Sequence, residues 1–271
     1  MTLAPNARDT LFDLTGKVAV ITGSSRGIGR AIAIRMAQHG AKVVVTSRKA
    51  DACEKVAEEI RSATTLNGEA GEAIVVPCNV SEKAQLQALV DTTIKHWGRI
   101  DILVCNAAVN PFFGPSKDIP DDAFDKIMDV NIKSNHWLCN MAAPDMARRQ
   151  DGAIIIISSV GGLFGSNTLG AYGISKAADM QLARNLAVEW GPQNIRANCI
   201  APGLIKTDFA RALWENPEIS KKATKGYALK RIGDPDEIAG AAVFLASAAG
   251  RFMTGQTMII DGGGMVNFQS V

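Results

Sequence analysis

Histidine, tyrosine and cysteine are scarce in this chain of 271 residues, at three, two and five. His39, His96 and His136 show no metal-ligand spacing, so no metal is expected. Cys53, Cys78, Cys105, Cys139 and Cys199 form no C-x-x-C pair. An odd, scattered set of this kind reads as reduced thiols in a reducing compartment. Excess charge is missing too. The 29 basic and 27 acidic side chains leave a formal +2, too even to mark a nucleic-acid or membrane surface. No stretch approaches the ~18 consecutive apolar residues of a membrane helix, and the run Ala153–Ile157 is strand-sized. The opening MTLAPNARDTLFDL carries acid and proline without an apolar core, unlike a signal peptide. The expected location is the cytoplasm.

What is present is a regular alternation. Short β-branched runs recur at Val18–Ile21, Lys42–Thr46, Ala73–Val76, Ile100–Cys105, Ala153–Ile157, Ile195–Ile200 and Thr257–Ile260. Helical spacing fills the intervals, over Gly29–His39, Ala50–Ala63, Glu82–Trp97, Asp122–Arg149, Ala171–Trp190 and Pro235–Ala248. The runs are apolar throughout and do not alternate with polar residues, as in parallel strands covered on both faces. This pattern predicts an α/β chain with a Rossmann-type doubly wound parallel sheet of about seven strands, helices on both faces. No linker or low-complexity block divides it. A single domain over residues 14–271 is expected after a short extension, residues 1–13. One interval breaks the rhythm: residues 208–230 read as a substrate lid or, less specifically, a surface insertion.

The first strand runs into Thr22-Gly23-Ser24-Ser25-Arg26-Gly27-Ile28-Gly29 and then a helix. Glycines at these positions allow a diphosphate to approach backbone N–H groups at a helix N-terminus. The spacing G-x-x-x-G-x-G lacks the Gly-Lys-Ser/Thr of a P-loop, which disfavours nucleoside triphosphate chemistry. After the second strand an NAD binder places an acid to accept the ribose 2′-hydroxyl. Here stand Thr46-Ser47-Arg48-Lys49, with no acid before Asp51. Arg48 can grip a 2′-phosphate with a charge-assisted fork, and Arg26 is a second candidate. The alternative is that Arg48 and Lys49 only solvate a helix start, where cations are mildly unfavourable. NADP(H) is the expected cofactor.

Of the two tyrosines, Tyr172 has Lys176 four residues on, so both lie on one helix face. A nearby ammonium lowers a phenol pKa and makes proton exchange with a carbinol or carbonyl oxygen feasible. The fifth strand ends in Ser158-Ser159, at the carboxyl edge where open α/β sheets hold ligands. Ser159 can donate to a developing oxyanion; it can equally serve as a cap or turn residue.

Together these residues closely resemble the short-chain dehydrogenase/reductase family, from about Leu14 to Gly264. The matching motifs come in the family's order. They are the glycine turn, Cys105-Asn106-Ala107-Ala108, Val130-Asn131-Ile132, Ser159, Tyr172-x-x-x-Lys176 and Pro202-Gly203-Leu204-Ile205-Lys206-Thr207. The resemblance implies a catalytic tetrad: Tyr172 as general acid or base and Ser159 polarising the carbonyl. Lys176 would lower the Tyr172 pKa and bind the nicotinamide ribose, and Asn131 would hold a relay water. It implies cofactor contacts from Gly23, Ser25, Gly27, Ile28 and Gly29, from Asn106 and Ala107 at the adenosine side, and from Gly203, Ile205 and Thr207 at the carboxamide. Two departures stand out. Cys78-Asn79-Val80 replaces the usual Asp-Val, so Asn79 and Val80 would meet adenine without the acid's charge. Ala108 replaces a glycine.

The strings Asn106–Gly114 and Ala201–Thr207 look especially like the NADP-dependent carbonyl/retinal reductase branch found in peroxisomes. The terminal Gln269-Ser270-Val271 is no Ser-Lys-Leu address, so that location is not expected to carry over. Phe112, Phe113, Phe164, Phe209, Leu213 and Trp214 predict an apolar substrate, although loop aromatics also serve subunit contacts and cores. Ile174, Ala177, Ala178, Leu182 and Leu186 on the Tyr172 helix suggest more apolar surface than one sheet contact needs, and the family implies a homotetramer. The expected activity is hydride transfer between nicotinamide and a ketone, aldehyde or secondary alcohol. One rival is a 3-oxoacyl-carrier-protein reductase, with Arg148 and Arg149 as candidates to meet an acidic carrier or, equally, ordinary helix-end charges. The other is a non-catalytic NADP-binding regulator.

Overall fold

The structure is a computed structural model and describes residues 11–266. Residues 1–10 of the expected extension, and Gln269-Ser270-Val271, lie outside the described residues. In chain order the strands are β1 (Val18–Thr22), β2 (Lys42–Thr46), β3 (Ala73–Val75), β4 (Ile102–Cys105), β5 (Gly152–Ile157), β6 (Ile195–Pro202) and β7 (Thr257–Ile260). The α-helices are α1 (Gly27–Gln38), α2 (Ala50–Ser62), α3 (Lys83–Trp97), α4 (Asp121–Met128), α5 (Ser134–Arg149), α6 (Gly170–Trp190), α7 (Arg211–Trp214), α8 (Pro217–Thr224) and α9 (Pro235–Ala246).

All seven strands are parallel, in the order β3-β2-β1-β4-β5-β6-β7. The strand order reverses between β1 and β4, where Ile21 stands opposite Val104. Connections leave this point in opposite directions, so a crevice opens at the carboxyl ends of these two strands.

The uniformly apolar strands follow from having two covered faces. Ala19, Ile21, Val43, Val45, Ile155 and Ile157 enter one buried layer, with residues of α1, α2 and α9. Their neighbours Val20, Val44, Ile154 and Ile156 enter the other, with α3, α5 and α6. Successive side chains of a strand face opposite ways, so each run supplies both layers. Each fully buried isoleucine of β5 contributes about 1.5–3 kcal/mol. Leu14 closes the first layer, buried and donating its N–H to the His39 carbonyl at 2.8 Å.

Two stretches differ from the expected pattern. The helix predicted over Asp122–Arg149 is interrupted by one π-helical stretch, Asp129–Lys133, between α4 and α5. Such wide turns insert one residue into the helical ladder and re-aim the side chains around it. Here they bury Val130 and Asn131. The irregular interval after β6 contains a 3₁₀ turn, Asp208–Ala210, then α7 and α8. Neither helix is long enough to impose a clear period on the sequence. Among the described residues no helix is long and apolar enough to cross a membrane.

Candidate active site

The turn between β1 and α1 is pinned from two sides. Thr22 Oγ1 accepts the Asn106 and Ala107 N–H groups at 2.9 and 3.1 Å, and Asn106 Nδ2 donates to the Thr22 carbonyl at 2.9 Å. On the other flank Ser24 Oγ accepts the Thr46 N–H at 2.8 Å. Gly27 adopts φ +56°, a left-handed conformation that favours glycine. Gly29 is required for a different reason. A Cβ there would lie 2.4 Å from Asn106 Nδ2 and 2.5 Å from the Gly23 carbonyl oxygen. The turn leads into α1, which has no acidic residue in its first turn and no side-chain cap. Its first N–H groups are therefore free for an anion.

Gly29→Ala forces a main-chain carbonyl to move, an overpacking that costs about 1–3 kcal/mol. The expected result is a melting temperature about 5 °C lower and NADPH binding weakened at least about ten-fold. A thermal melt and a fluorescence titration with NADPH check both; wild-type values would show that the turn gives way freely.

The segment after β3 lies alongside the end of β2, where the Cys78 N–H donates to the Ser47 carbonyl at 3.0 Å. Arg48 and Asn79 therefore stand on adjoining loops. Arg48 is exposed and forms no ion pair among the described residues. Asn79 Oδ1 accepts the Ser81 N–H at 3.3 Å, which leaves it a second lone pair for a ligand. Val80 packs against the second core layer. Arg26 is drawn elsewhere: its guanidinium is 3.8 Å from Asp208 Oδ2, at the start of the expected lid. Asp208 is itself bonded by Arg211, which with Arg26 holds its carboxyl below the ordinary carboxylate value.

The reacting residues converge at the end of β5. Ser158 Oγ donates to the Lys176 carbonyl at 2.7 Å, which fixes α6 against the strand. Ser159 Oγ accepts the Gly161 N–H at 3.0 Å. Ser159 thus caps a 3₁₀ turn, the plainer of its two expected uses, and its O–H proton stays free to donate. A Cβ on Gly161 would lie 3.4 Å from Ser159 Oγ and 3.9 Å from Tyr172 Cε1, so both side chains border the same small space. Behind them Lys176 Nζ lies 5.8 Å from the Tyr172 ring centroid. It donates to the Ile157 carbonyl and to Asp179 Oδ2, each at 2.9 Å. Burial opposes the Lys176 ammonium, yet the Asp179 carboxylate outweighs it and holds the pKa above the ordinary lysine value.

Asn131 is fully buried, and its side chain clamps the strand-to-loop segment after β4. Oδ1 accepts the Val109 N–H at 2.9 Å, while Nδ2 donates to the Val109 carbonyl at 3.1 Å and to Ser175 Oγ at 3.0 Å. Ser175 in turn donates to the Tyr172 carbonyl at 2.7 Å. Among the described residues Asn131 makes no hydrogen bond to Lys176, so its side chain bears on the Tyr172 helix. Ser175 and Asp179 escaped the sequence reading. Their positions, three residues after Tyr172 and three after Lys176, are the signal that could have found them.

In the segment expected to meet the nicotinamide, Gly203 donates to the Ile260 carbonyl at 2.9 Å. Tyr227, the second tyrosine, accepts the Leu204 N–H at 2.9 Å on its hydroxyl and is a strut for this loop. Burial pushes its phenol pKa up. Ile205 packs into the first core layer, so only its main chain is available to a ligand. Thr207 lies by the glycine turn, its Cγ2 3.3 Å from where a Gly27 Cβ would be.

Beside Tyr172, Phe112, Ile119, Ile127 and Leu169 pack closely with the polar Asn110, Ser116 and Thr168 around a void too small for a water. Its two walls are joined where the Gly114 N–H donates to the Thr168 carbonyl at 3.0 Å. Phe113 and Phe164 are exposed and do not line it, while the Phe209 ring, also exposed, lies 6.2 Å from that of Tyr172. Leu186 is in the core, so the free apolar surface of α6 is carried chiefly by Ile174 and Val188. Arg148 and Arg149 are not at the crevice. They end α5 at the opposite, amino edge of the sheet, paired with Asp145, and Arg149 also reaches Asp101 ahead of β4. The reason is directional: α5 leads into β5 and runs antiparallel to it, so its last turn faces away from the strands' carboxyl ends.

The family model described as enoyl-(acyl carrier protein) reductase matches residues 23–264. "Dehydrogenase/reductase SDR family member 4" of Bos taurus is 43% identical over 252 residues, covering 93% of this chain and 88% of that protein. "Dehydrogenase/reductase SDR family member 2, mitochondrial" of Homo sapiens is 37% identical, covering 92% and 86%. Among solved structures, 7 alpha-hydroxysteroid dehydrogenase complexed with NADH and 7-oxo glycochenodeoxycholic acid superposes with a TM-score of 0.89 at 37% identity, over 95% of this chain and 97% of that one. A gluconate 5-dehydrogenase from Burkholderia cenocepacia, in complex with NADP and tartrate, superposes with a TM-score of 0.89 at 34% identity, over 96% and 99%. With its switch-point crevice, its glycine turn and its Ser159–Tyr172–Lys176 cluster, the chain belongs to the short-chain dehydrogenase/reductase family.

Proposed function

We propose that the protein is an NADP(H)-dependent oxidoreductase acting on small, largely apolar ketones or aldehydes and the matching alcohols. The observation that carries this reading is the shared space at Gly161, bordered by Ser159 and Tyr172 with the Lys176 cation behind. The overall reduction converts a carbonyl, NADPH and one proton into an alcohol and NADP⁺.

The residues fit the cofactor. The glycine turn offers a cradle that a Cβ at Gly29 would fill, and Arg48, exposed and without an ion pair among the described residues, would meet the 2′-phosphate. Gly23, Ser25, Gly27, Ile28, Asn106 and Ala107 would surround the diphosphate and ribose, Asn79 and Val80 the adenine, Gly203, Ile205 and Thr207 the carboxamide. When bound, the cofactor supplies or accepts the hydride. In reduction Ser159 donates a hydrogen bond to the carbonyl oxygen, and Tyr172 delivers the proton to that oxygen as it becomes an alkoxide. Lys176 stabilises the phenolate that remains. Asn131 supports the Tyr172 helix through Ser175.

The exposed Phe209 ring beside Tyr172 favours an apolar substrate over a sugar acid. A carrier-protein substrate is disfavoured, since Arg148 and Arg149 stand at the far edge and are already paired. Buried, unpaired thiols fit a cytoplasmic setting, and the exposed Ile174 and Val188 on α6 fit assembly into a homotetramer. The test is NADPH oxidation by purified protein with a panel of steroid, aromatic and aliphatic ketones, aldehydes and acyl thioesters. Apolar ketones are expected to be reduced, with NADH much poorer; no turnover across the panel would sink the reading.

A further inference from the structure

Lys176 is among the largest fully buried side chains of the protein, at 2% exposure. The proposed reaction uses its charge, but a buried ammonium without a counter-charge discharges, its pKa falling by as much as ~3–5 units. The partner it has here is Asp179, one turn further along α6 and fully buried. Asp179 Oδ2 accepts from Lys176 Nζ at 2.9 Å. The other carboxylate oxygen, Oδ1, accepts from Asn135 Nδ2 at 3.0 Å. The same Asn135 nitrogen reaches the Asn131 carbonyl at 2.6 Å, on the π-helical stretch. Cys199 Sγ on β6 donates to the Asp179 carbonyl at 3.3 Å. Each carboxylate oxygen therefore has a buried donor, from two different helices.

We propose that Asp179 is a positioning residue for proton transfer: its carboxylate keeps Lys176 cationic and fixed behind Tyr172, and Asn135 of α5 holds that carboxylate in place. The inference rests on the oxidoreductase reading for its consequence in turnover, though the ion pair itself does not. The titratable groups facing the pair are Tyr172 on α6, Cys199 on β6 and, through Cys199 and Asp179, Cys139 on α5 and Cys105 on β4. Burial pushes the Cys199 thiol far up. The bond to Cys139, together with burial, does the same to Cys105, so both stay neutral. Asp179 is the anion in direct contact with Lys176. Tyr172 is half-buried with its ring centroid 5.8 Å from Nζ, too far to replace that contact.

Two opposed effects of the carboxylate decide the sign. It offsets part of the Lys176 field at the Tyr172 hydroxyl, and it preserves the Lys176 charge that creates that field. Direct contact with Lys176 makes the second dominate. In alcohol oxidation the rise of kcat with pH is expected to move at least about one pH unit higher in Asp179→Asn, with kcat at pH 8 down about ten-fold or more.

A second readout needs no substrate. In protein labelled with ¹³Cε-lysine, with the Lys176 signal assigned by its loss in Lys176→Arg, the wild-type side chain is expected to hold its charge above the ordinary lysine range. In Asp179→Asn its midpoint falls by about two units or more. NADPH binding and circular dichroism establish that the variant is folded. If it is not, Asn135→Leu is used instead, with a smaller shift in the same direction. A Lys176 titration unchanged in the folded variant, or an oxidation profile that moves to lower pH, overturns the proposal. If the wild type turns over nothing, the oxidoreductase reading fails, and the lysine titration still decides the role of Asp179.

Discussion

Tyr172→Phe is expected to lower kcat by about 10³-fold, within the range contributed by one positioned proton donor, while NADPH binding stays within about two-fold of wild type. The argument is local. The Tyr172 hydroxyl makes no hydrogen bond among the described residues, so its removal breaks no bond that supports the fold. Its ring keeps the contact with Phe209 and its place over Gly161. A melting temperature within about 2 °C of wild type is expected, since the change touches no buried network. Single-turnover hydride transfer, thermal melting and an NADPH titration separate these quantities. Retained turnover would remove Tyr172 from proton transfer; joint loss of binding and stability would make it a structural residue.

Arg48→Asp is expected to reverse cofactor preference, lowering the NADPH-to-NADH ratio of kcat/KM by about 100-fold or more. A hydrogen bond to a charged group contributes about 1.5–3 kcal/mol, and the new carboxylate adds repulsion toward the 2′-phosphate. It also offers the ribose 2′-hydroxyl an acceptor. Arg48 is suited to this role because it is exposed and unpaired, whereas Arg26 is engaged with Asp208 near the lid. The two predictions are independent, since Arg48 follows β2 and Tyr172 lies on α6. An unchanged cofactor ratio would place the 2′-phosphate on other residues and leave the Tyr172 prediction standing.

Much of the site was legible because its residues carry their own punctuation. A glycine triplet between an apolar strand and a helix has few other uses, and Tyr172 and Lys176 share a face at helical spacing whatever surrounds them. Ser159 was legible only as two alternatives, and the structure gives it both an occupied acceptor and a free donor. Phe113 and Phe164 stand exposed in their loops, where side-chain directions depend on contacts such as Gly114 to Thr168 and not on local sequence. Arg148 and Arg149 are the helix-end charges of one of their two expected readings; which edge of the sheet a helix end reaches depends on chain direction across the whole layer.

By itself, then, the sequence determined the parallel doubly wound sheet, its glycine turn and the order of its reactive residues. These rest on local periodicity and on residues whose backbone or chemical roles are narrow. Tertiary structure alone decided what stands behind the reactive face. The i, i+3 spacing of Lys176 and Asp179 is a weak local sign, and nothing local buries the pair or brings Asn135 and Cys199 to it from α5 and β6. A buried charge is tolerated only where several chain segments meet to satisfy it. The few cysteines, histidines and tyrosines follow the same division. Their scarcity argued against metal and disulfide chemistry, and packing separated Tyr172 beside Ser159 from Tyr227, which braces the loop after β6.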